Sequence, residues 1–516
     1  MHTDHTEPQE IELKLTLAPG DAARLAEHPL LRQYAAAPPH TEQLLSTYFD
    51  TPDRHLLHHG ASLRVRQLEH GCLQTLKDAA HGKAGFFRRA ELEQRVDGPG
   101  VDLAALRASI GKHSRWRKVL DGQALQDALQ PLFDTRVSRS TWELRLPDGA
   151  EIEFALDRGS IECGASREEL CEAELELKTG APAALHSLAL ALLAEVPMQL
   201  STDSKSERGD ALCDGGQAQS APVKFGGLAL APRMSVEDAF RHIVEACLAQ
   251  VRGNAGGVVR GTDPEYVHQM RVGLRRLHSA FGLFQDLIAL PAELDTELGW
   301  LGGELGAARD WEVLAHGTLA GIDEAEALPR AAADIATERR AQAAAAVQSP
   351  RHTRLMLSLE RWLLEARWRD QMPQWKCARL ASPLHRFAGK QLARSQRRLL
   401  KRGAKLRGAD ARGRHRVRIA AKKARYAMEF FEPLYPQRQV RHYVGALSGL
   451  QDELGRLNDA AVADHLLLEL AGTRTELAPA AGFARGYLAS TVEHAGPGLR
   501  KQWKRFSKLS LPRDAR

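Results

Sequence analysis

The chain has 516 residues, 43% of them hydrophobic and 26% charged, with a net charge of +6 and a pI near 9.0. That length implies at least two units of roughly 200 to 300 residues, each able to bury its own core. No apolar run reaches membrane length and the opening MHTDHTEPQ lacks an apolar signal core, so a cytoplasmic protein with polyanionic partners is expected.

Six cysteines, Cys72, Cys163, Cys171, Cys213, Cys247 and Cys377, are scattered without CxxC spacing and read as reduced thiols rather than a disulfide frame or zinc site. From Glu10 to about Lys178 the sequence alternates with period two, which predicts strands. In EIELKLTL, Glu10, Glu12 and Lys14 share one face, and Ile11, Leu13 and Leu15 the other. The pattern recurs with Arg64 and Arg66, with Arg89, Glu91 and Glu93, with Glu151, Glu153 and Asp157, and with Glu172, Glu174, Glu176 and Lys178; Lys77 ends LQTLK.

One such strand is ordinarily a solvated face. Here the faces are nearly pure charge, with cationic and anionic strands kept apart. A closed barrel accounts for that: charged faces line a polar lumen, and apolar faces pack outward against helices. Inward guanidinium and ammonium groups suit phosphate, and inward carboxylates then require a cation such as Mg²⁺ or Mn²⁺. The segregation predicts metal-assisted phosphoryl or nucleotidyl transfer.

The ordered set of Glu10-x-Glu12-x-Lys14, TYFDTPDRHLL, GASLRVR, Lys77, RAELE, EIEFALDRG and ELELK resembles the CYTH family of triphosphate tunnel metalloenzymes. The resemblance implies an eight-stranded antiparallel β tunnel with flanking helices, a triphosphate substrate, and Mg²⁺ or Mn²⁺. By motif match, Lys14, Arg64, Arg66, Lys77, Arg89 and Arg139 would bind phosphates, with Lys205 of SKSERG a further candidate from the closing helix. Glu10, Glu12, Glu174 and Glu176 are the first choices as metal ligands, and Glu91, Glu153, Asp157 and Glu172 the second. No separate acid-base residue is apparent, and carboxylates near the metal would orient the attacking water.

The stretch 211–232, rich in Gly, Pro, Ser and Ala, is expected to be a linker between a tunnel domain at 5–210 and a helical domain at 233–508. Beyond it the apolar spacing turns helical, as in Val267, Met270, Leu274, Leu277, Phe281 and Phe284. VHQMRVGLRRL is echoed by RHRVRIAAKKARY, aligning His268 with His415, Arg271 with Arg418, Arg275 with Lys422 and Arg276 with Lys423; ELGAARD is echoed by ELGRLND. The duplication predicts an all-α domain of two pseudo-symmetric helical bundles, and the fold class is therefore α+β multidomain. This half resembles the CHAD domain, which implies that inorganic polyphosphate binds along His268, Arg271, Arg275, Arg276, His415, Arg418, Lys422 and Lys423. His278 stands where the second repeat has Arg425. A separate stripe of Arg386, Lys390, Arg394, Arg397 and Lys401 is added on physical grounds.

The whole two-domain pattern resembles the inorganic triphosphatases, which implies triphosphate hydrolysis coupled to a polyphosphate-binding module. The alternatives are a non-catalytic polyphosphate scaffold, associated with storage granules, or a CYTH enzyme acting on thiamine triphosphate or cyclising ATP. Nucleic acid is a weaker fit, because the basic stretch from Lys401 to Arg425 offers no aromatic stacking platform before Tyr426. Oligomeric state is not fixed by any of these features.

Overall fold

The computed structural model describes residues 9–78, 86–111, 114, 116–121, 123–201, 203–215, 221–320, 322, 327–370, 372–406 and 408–513, without the side chains at 9, 10, 78, 86–90 and 123. Two compact units emerge: one runs to Ala221 and takes in Gln348–Glu365, the other holds Pro222–Val347 and the chain from Ala366.

In the first unit the alternating stretches form strands β1 (Gln9–Thr16), β2 (His40–Asp50), β3 (Ala61–Gln67), β4 (Cys72–Asp78), β5 (Phe86–Val96), β6 (Gln130–Arg145), β7 (Glu151–Cys163), β8 (Ser166–Thr179) and β9 (Gln199–Leu200). Their order is β5-β4-β3-β2-β6-β7-β8-β1-β9, and β5 also pairs with β1. Eight strands therefore close into a ring, antiparallel throughout. The strand count is nine rather than eight because β5 covers β1 only from Gln9 to Leu13, leaving Leu15 and Thr16 to pair with the two residues of β9.

Most apolar residues of the ring face outward. Leu13, Leu15, Phe154 and Leu175 are wholly buried there, and removing such a side chain to Ala costs about 2–5 kcal/mol. Beneath β3 and β4, Leu63 and Leu76 meet Leu103, Leu106 and Trp116. The helices Ala183–Leu193 and Pro350–Glu365 belong to the same unit, where His186 Nε2 and Glu360 Oε2 lie 2.9 Å apart. One stretch of the ring interior is filled by Leu44, Tyr48, Phe133, Val137, Ile161 and Leu170. The helix Lys205–Cys213 lies against it so closely that a Cβ on Gly209 would sit 2.2 Å from Phe133. A capping box of Ser204 and Glu207 starts this helix. Its end is tied by a disulfide between Cys213 and Cys163. That corrects the reading of all six cysteines as reduced: the pair is separated by 50 residues, and only the tertiary fold brings it together. Cys72, Cys171, Cys247 and Cys377 are free.

The second unit is helical. Val236–Arg252, Glu265–Phe284 and Ala292–Val313 are repeated as Leu384–Gly403, Ala411–Phe431 and Gln437–Thr473. Phe240 and Phe284, 5.2 Å apart by ring centroid, recur at one constant offset as Phe387 and Phe431, 6.4 Å apart. Phe284 stacks on Phe387 at 4.8 Å, so the two repeats share one aromatic core. Part of the stretch expected to be linker is docked on this unit: Val223 exchanges hydrogen bonds with the Asn254 side chain, and Phe225 packs on Phe430.

Candidate functional site

Strand register settles which way the charges point. Glu10 is opposite Arg89, Lys14 opposite Glu174, and Glu12 opposite Glu176, which in turn faces Glu153. Glu172 faces Asp157, Asp157 faces Arg139, Tyr48 faces Arg64, Ser46 faces Arg66, and Lys77 faces Glu91. Directly opposed residues share a face, so the expected charged residues whose side chains are described look into the ring. The side chains of Glu10 and Arg89 lie outside the described residues, and these two are located by backbone alone.

The buried carboxylates gather on one wall with cations set among them. On β7 and β8, Asp157, Glu172 and Glu174 bring one carboxylate oxygen each to within 4.8 Å of the others. Lys205, from the first turn of its helix, contacts all three: Asp157 at 2.8 Å, Glu174 at 2.9 Å, and Glu172. Lys14 lies 2.5 Å from Glu174 and 3.3 Å from Glu12. Arg139 donates to both oxygens of Asp157 and to Glu174. Burial works against ionisation of Glu174, yet Lys14, Lys205 and Arg139 outweigh it and hold its carboxyl well below the usual range. Burial likewise acts to lower the Lys205 ammonium, and Asp157, Glu172 and Glu174 push it well above its usual value instead.

Four strands round the ring from β8, β3 carries Arg64 and Arg66. Arg66 donates to Ser46 Oγ at 3.4 Å and has no carboxylate within 4.0 Å among the described residues. Burial first, then the neighbouring Arg64 and Arg139, lower its guanidinium to about 10. Arg64 lies 3.9 Å from Glu91 and its buried Nε has no hydrogen-bond partner among the described residues. Lys77 pairs with Glu91 at 2.9 Å. Glu176 turns instead to Lys178, at 2.7 Å, and is partly exposed. Two cations on the acidic side were not anticipated. Arg208, one helical turn after Lys205 in SKSERG, reaches Glu168 and Glu172, and Arg54 holds Asp210 at 3.0 Å.

An all-oxygen set of three buried carboxylates fits a hard divalent ion. Asp157, Glu172 and Glu174 are the residues that would hold one; of the first-choice ligands with described side chains only Glu174 is among them, with Glu12 adjacent through Lys14.

In the helical unit the two echoed motifs meet. Arg271 donates to Asp310 at 3.0 Å, Arg418 lies 3.9 Å from Asp459, and His415 Nδ1 is 2.9 Å from Asn458 Oδ1. The ELGxxRD and ELGxxND segments thus brace the HxxR motifs, a role their matching offsets could have suggested. Arg271, Arg275, Arg418 and Lys422 form a cationic cluster. Burial, then Arg275, Arg418 and Arg271, bring the Lys422 ammonium down to about 7. The Nε atoms of Arg275 and Arg418 are buried without a partner among the described residues. Burial, then Arg309, lowers His268.

Arg276 faces elsewhere: it pairs with Glu429 at 2.7 Å, donates to Gln250 and lies over the Phe225 ring. His278 lies 3.9 Å from Asp295, whereas Arg425 pairs with Glu429. Lys423 is exposed. Arg386, Lys390, Arg397 and Lys401 are exposed on another helix, Leu384–Gly403, where Arg394 pairs with Asp286. Among the described residues no helix is long and apolar enough to cross a membrane.

Comparison with known proteins gives two family matches in order: CYTH domain over residues 8–209 and CHAD domain over 242–468. An inorganic triphosphatase from Haemophilus influenzae is 29% identical over 202 residues, 39% of this chain and 54% of that one, so the chain matches about half the length of this relative. The crystal structure of the CHAD domain from the plant Ricinus communis is 40% identical, with a TM-score of 0.54, covering 58% of this chain and all of that one. A Hippeastrum protein described as a putative adenylyl cyclase with a dominant triphosphatase activity is 24% identical, with a TM-score of 0.30, covering 39% of this chain and 95% of that one. The chain belongs to the proteins that join an N-terminal CYTH domain to a C-terminal CHAD domain.

Proposed function

We propose that the tunnel is a metal-dependent inorganic triphosphatase, yielding diphosphate and phosphate, and that the helical unit binds inorganic polyphosphate. The observation that carries the first part is the opposition of two walls inside one ring: Arg64 and Arg66 on β3, with Arg66 free of carboxylates among the described residues, across from Asp157, Glu172 and Glu174 on β7 and β8. A divalent ion on those three carboxylates would neutralise phosphate charge and polarise the terminal phosphoryl group. Arg64, Arg66 and Lys77 bind the chain of phosphates from the other side, with Arg89 in register to join them. Carboxylates beside the ion, Glu12 included, orient the attacking water. The relative named as an inorganic triphosphatase supports this substrate over other triphosphates.

The second part rests on the cluster of Arg271, Arg275, Arg418 and Lys422, whose mutual repulsion an anionic chain would relieve. Separable variants test the division. Arg66→Ala or Glu174→Gln should abolish metal-dependent phosphate release and leave polyphosphate retention intact, whereas Arg418→Ala with Lys422→Ala should do the reverse. Joint loss of both properties in every variant would contradict it.

A further inference from the structure

The three carboxylates are not waiting open for an ion. Four cations already face them, and among the described residues only one touches all three. Arg139 is fixed in a two-pronged contact with Asp157, the residue opposite it in the ladder, and also reaches Glu174. Lys14 reaches Glu174 and Glu12. Arg208 reaches Glu172, at 3.4 Å. Among the described residues Lys205 alone contacts Asp157, Glu172 and Glu174 together, its Nζ standing where those oxygens converge.

A divalent ion cannot share that point. Bringing it beside Lys14, Lys205 and Arg139 would also leave the pocket with surplus positive charge in a buried place, which is costly unless a cation withdraws or an anion arrives. Arg139 is held by bidentate geometry, and Lys14 sits on a strand paired on both sides. Lys205 is a compact charge on a flexible stem at the first turn of a helix, and it can swing.

We propose that Lys205 is a resident stand-in for the metal: its ammonium occupies the Asp157, Glu172 and Glu174 site until a divalent ion displaces it, and the freed ammonium then binds a phosphate oxygen. This rests on the metal reading above. It makes metal loading and substrate binding mutually supportive, since the displaced lysine needs the anion that the substrate brings.

Mn²⁺ binding to the full-length protein without any phosphate, followed by electron paramagnetic resonance, tests the exchange. Lys205→Met should bind Mn²⁺ about tenfold more tightly than wild type because one competing charge is gone. Lys205→Arg should stay near wild type, and Lys205→Gln replaces the Met variant if that one does not fold. Asp157→Asn should weaken binding. If Asp157→Asn weakens binding while Lys205→Met leaves it unchanged or weaker, the exchange is wrong and the metal site stands. If Lys205→Arg tightens binding as much as Lys205→Met, charge competition is likewise refuted. If Asp157→Asn does not weaken binding, the metal site itself is misplaced.

Discussion

Arg139 donates to both oxygens of Asp157, from Nε at 2.7 Å and from Nη2 at 2.6 Å, across the ladder between β6 and β7. Without Arg139, buried Asp157 keeps Lys205 at 2.8 Å but loses its two-pronged partner, which should cost about 3 kcal/mol, the low end for a broken buried pair. Arg139→Met is therefore expected to lose hydrogen-exchange protection in Glu151–Cys163 amides while those of Glu265–Phe284 keep theirs. Equal protection in β7 before and after the substitution would contradict the contact.

Acid should loosen the same region. Asp157 and Glu174 are held below their ordinary values of 3.8 and 4.5, because cations outweigh the burial that opposes ionisation. A carboxyl lowered on folding contributes stability that is complete above the unfolded value and lost as pH falls through the folded one. Protection of β7 amides should be flat above roughly pH 5 and decline below it, and Glu174→Gln should flatten part of that decline.

Base should act on the helical unit. Lys422, lowered to about 7, is charged below that pH and neutral above it in the free protein, and a bound anion raises it again. Polyphosphate retention should weaken severalfold between roughly pH 7 and pH 9, a window above the titration of ordinary histidines. Lys422→Met should bind more weakly at pH 7 and show little change across the window in a filter-retention assay.

Removing a brace should loosen its arginine. Asp310→Asn weakens the hold on Arg271, and Asp459→Asn does the same for Arg418. Each is expected to lower polyphosphate affinity less than loss of the arginine itself, with tunnel activity unchanged. Affinity measured by calorimetry for the four single variants gives the ranking.

The inward set was legible because period-two alternation is a property of each strand alone, and the register places Lys14, Arg139, Asp157, Glu172 and Glu174 on one face. Features that depend on distant parts of the chain were not. The Cys163–Cys213 pair, the Pro350–Glu365 helix joining the first unit through Glu360 and His186, and the β9 cap on β1 leave no local periodicity. Arg276 was expected beside Arg275 among polyphosphate ligands, but adjacent helical residues point about a hundred degrees apart. Its neighbour stays in the cluster while it turns to Glu429. The metal-ligand ranking followed the motif, whereas the convergence of Asp157 with Glu172 depends on the pairing of β7 with β8.

The most direct measurement is phosphate release by the wild-type protein from inorganic triphosphate, thiamine triphosphate, ATP and long polyphosphate, each with Mg²⁺, Mn²⁺ and chelator. The account predicts fastest release from inorganic triphosphate, abolished by chelator and by Glu174→Gln. Conversion of ATP to a cyclic nucleotide as the main activity, or release that persists in chelator, would contradict it.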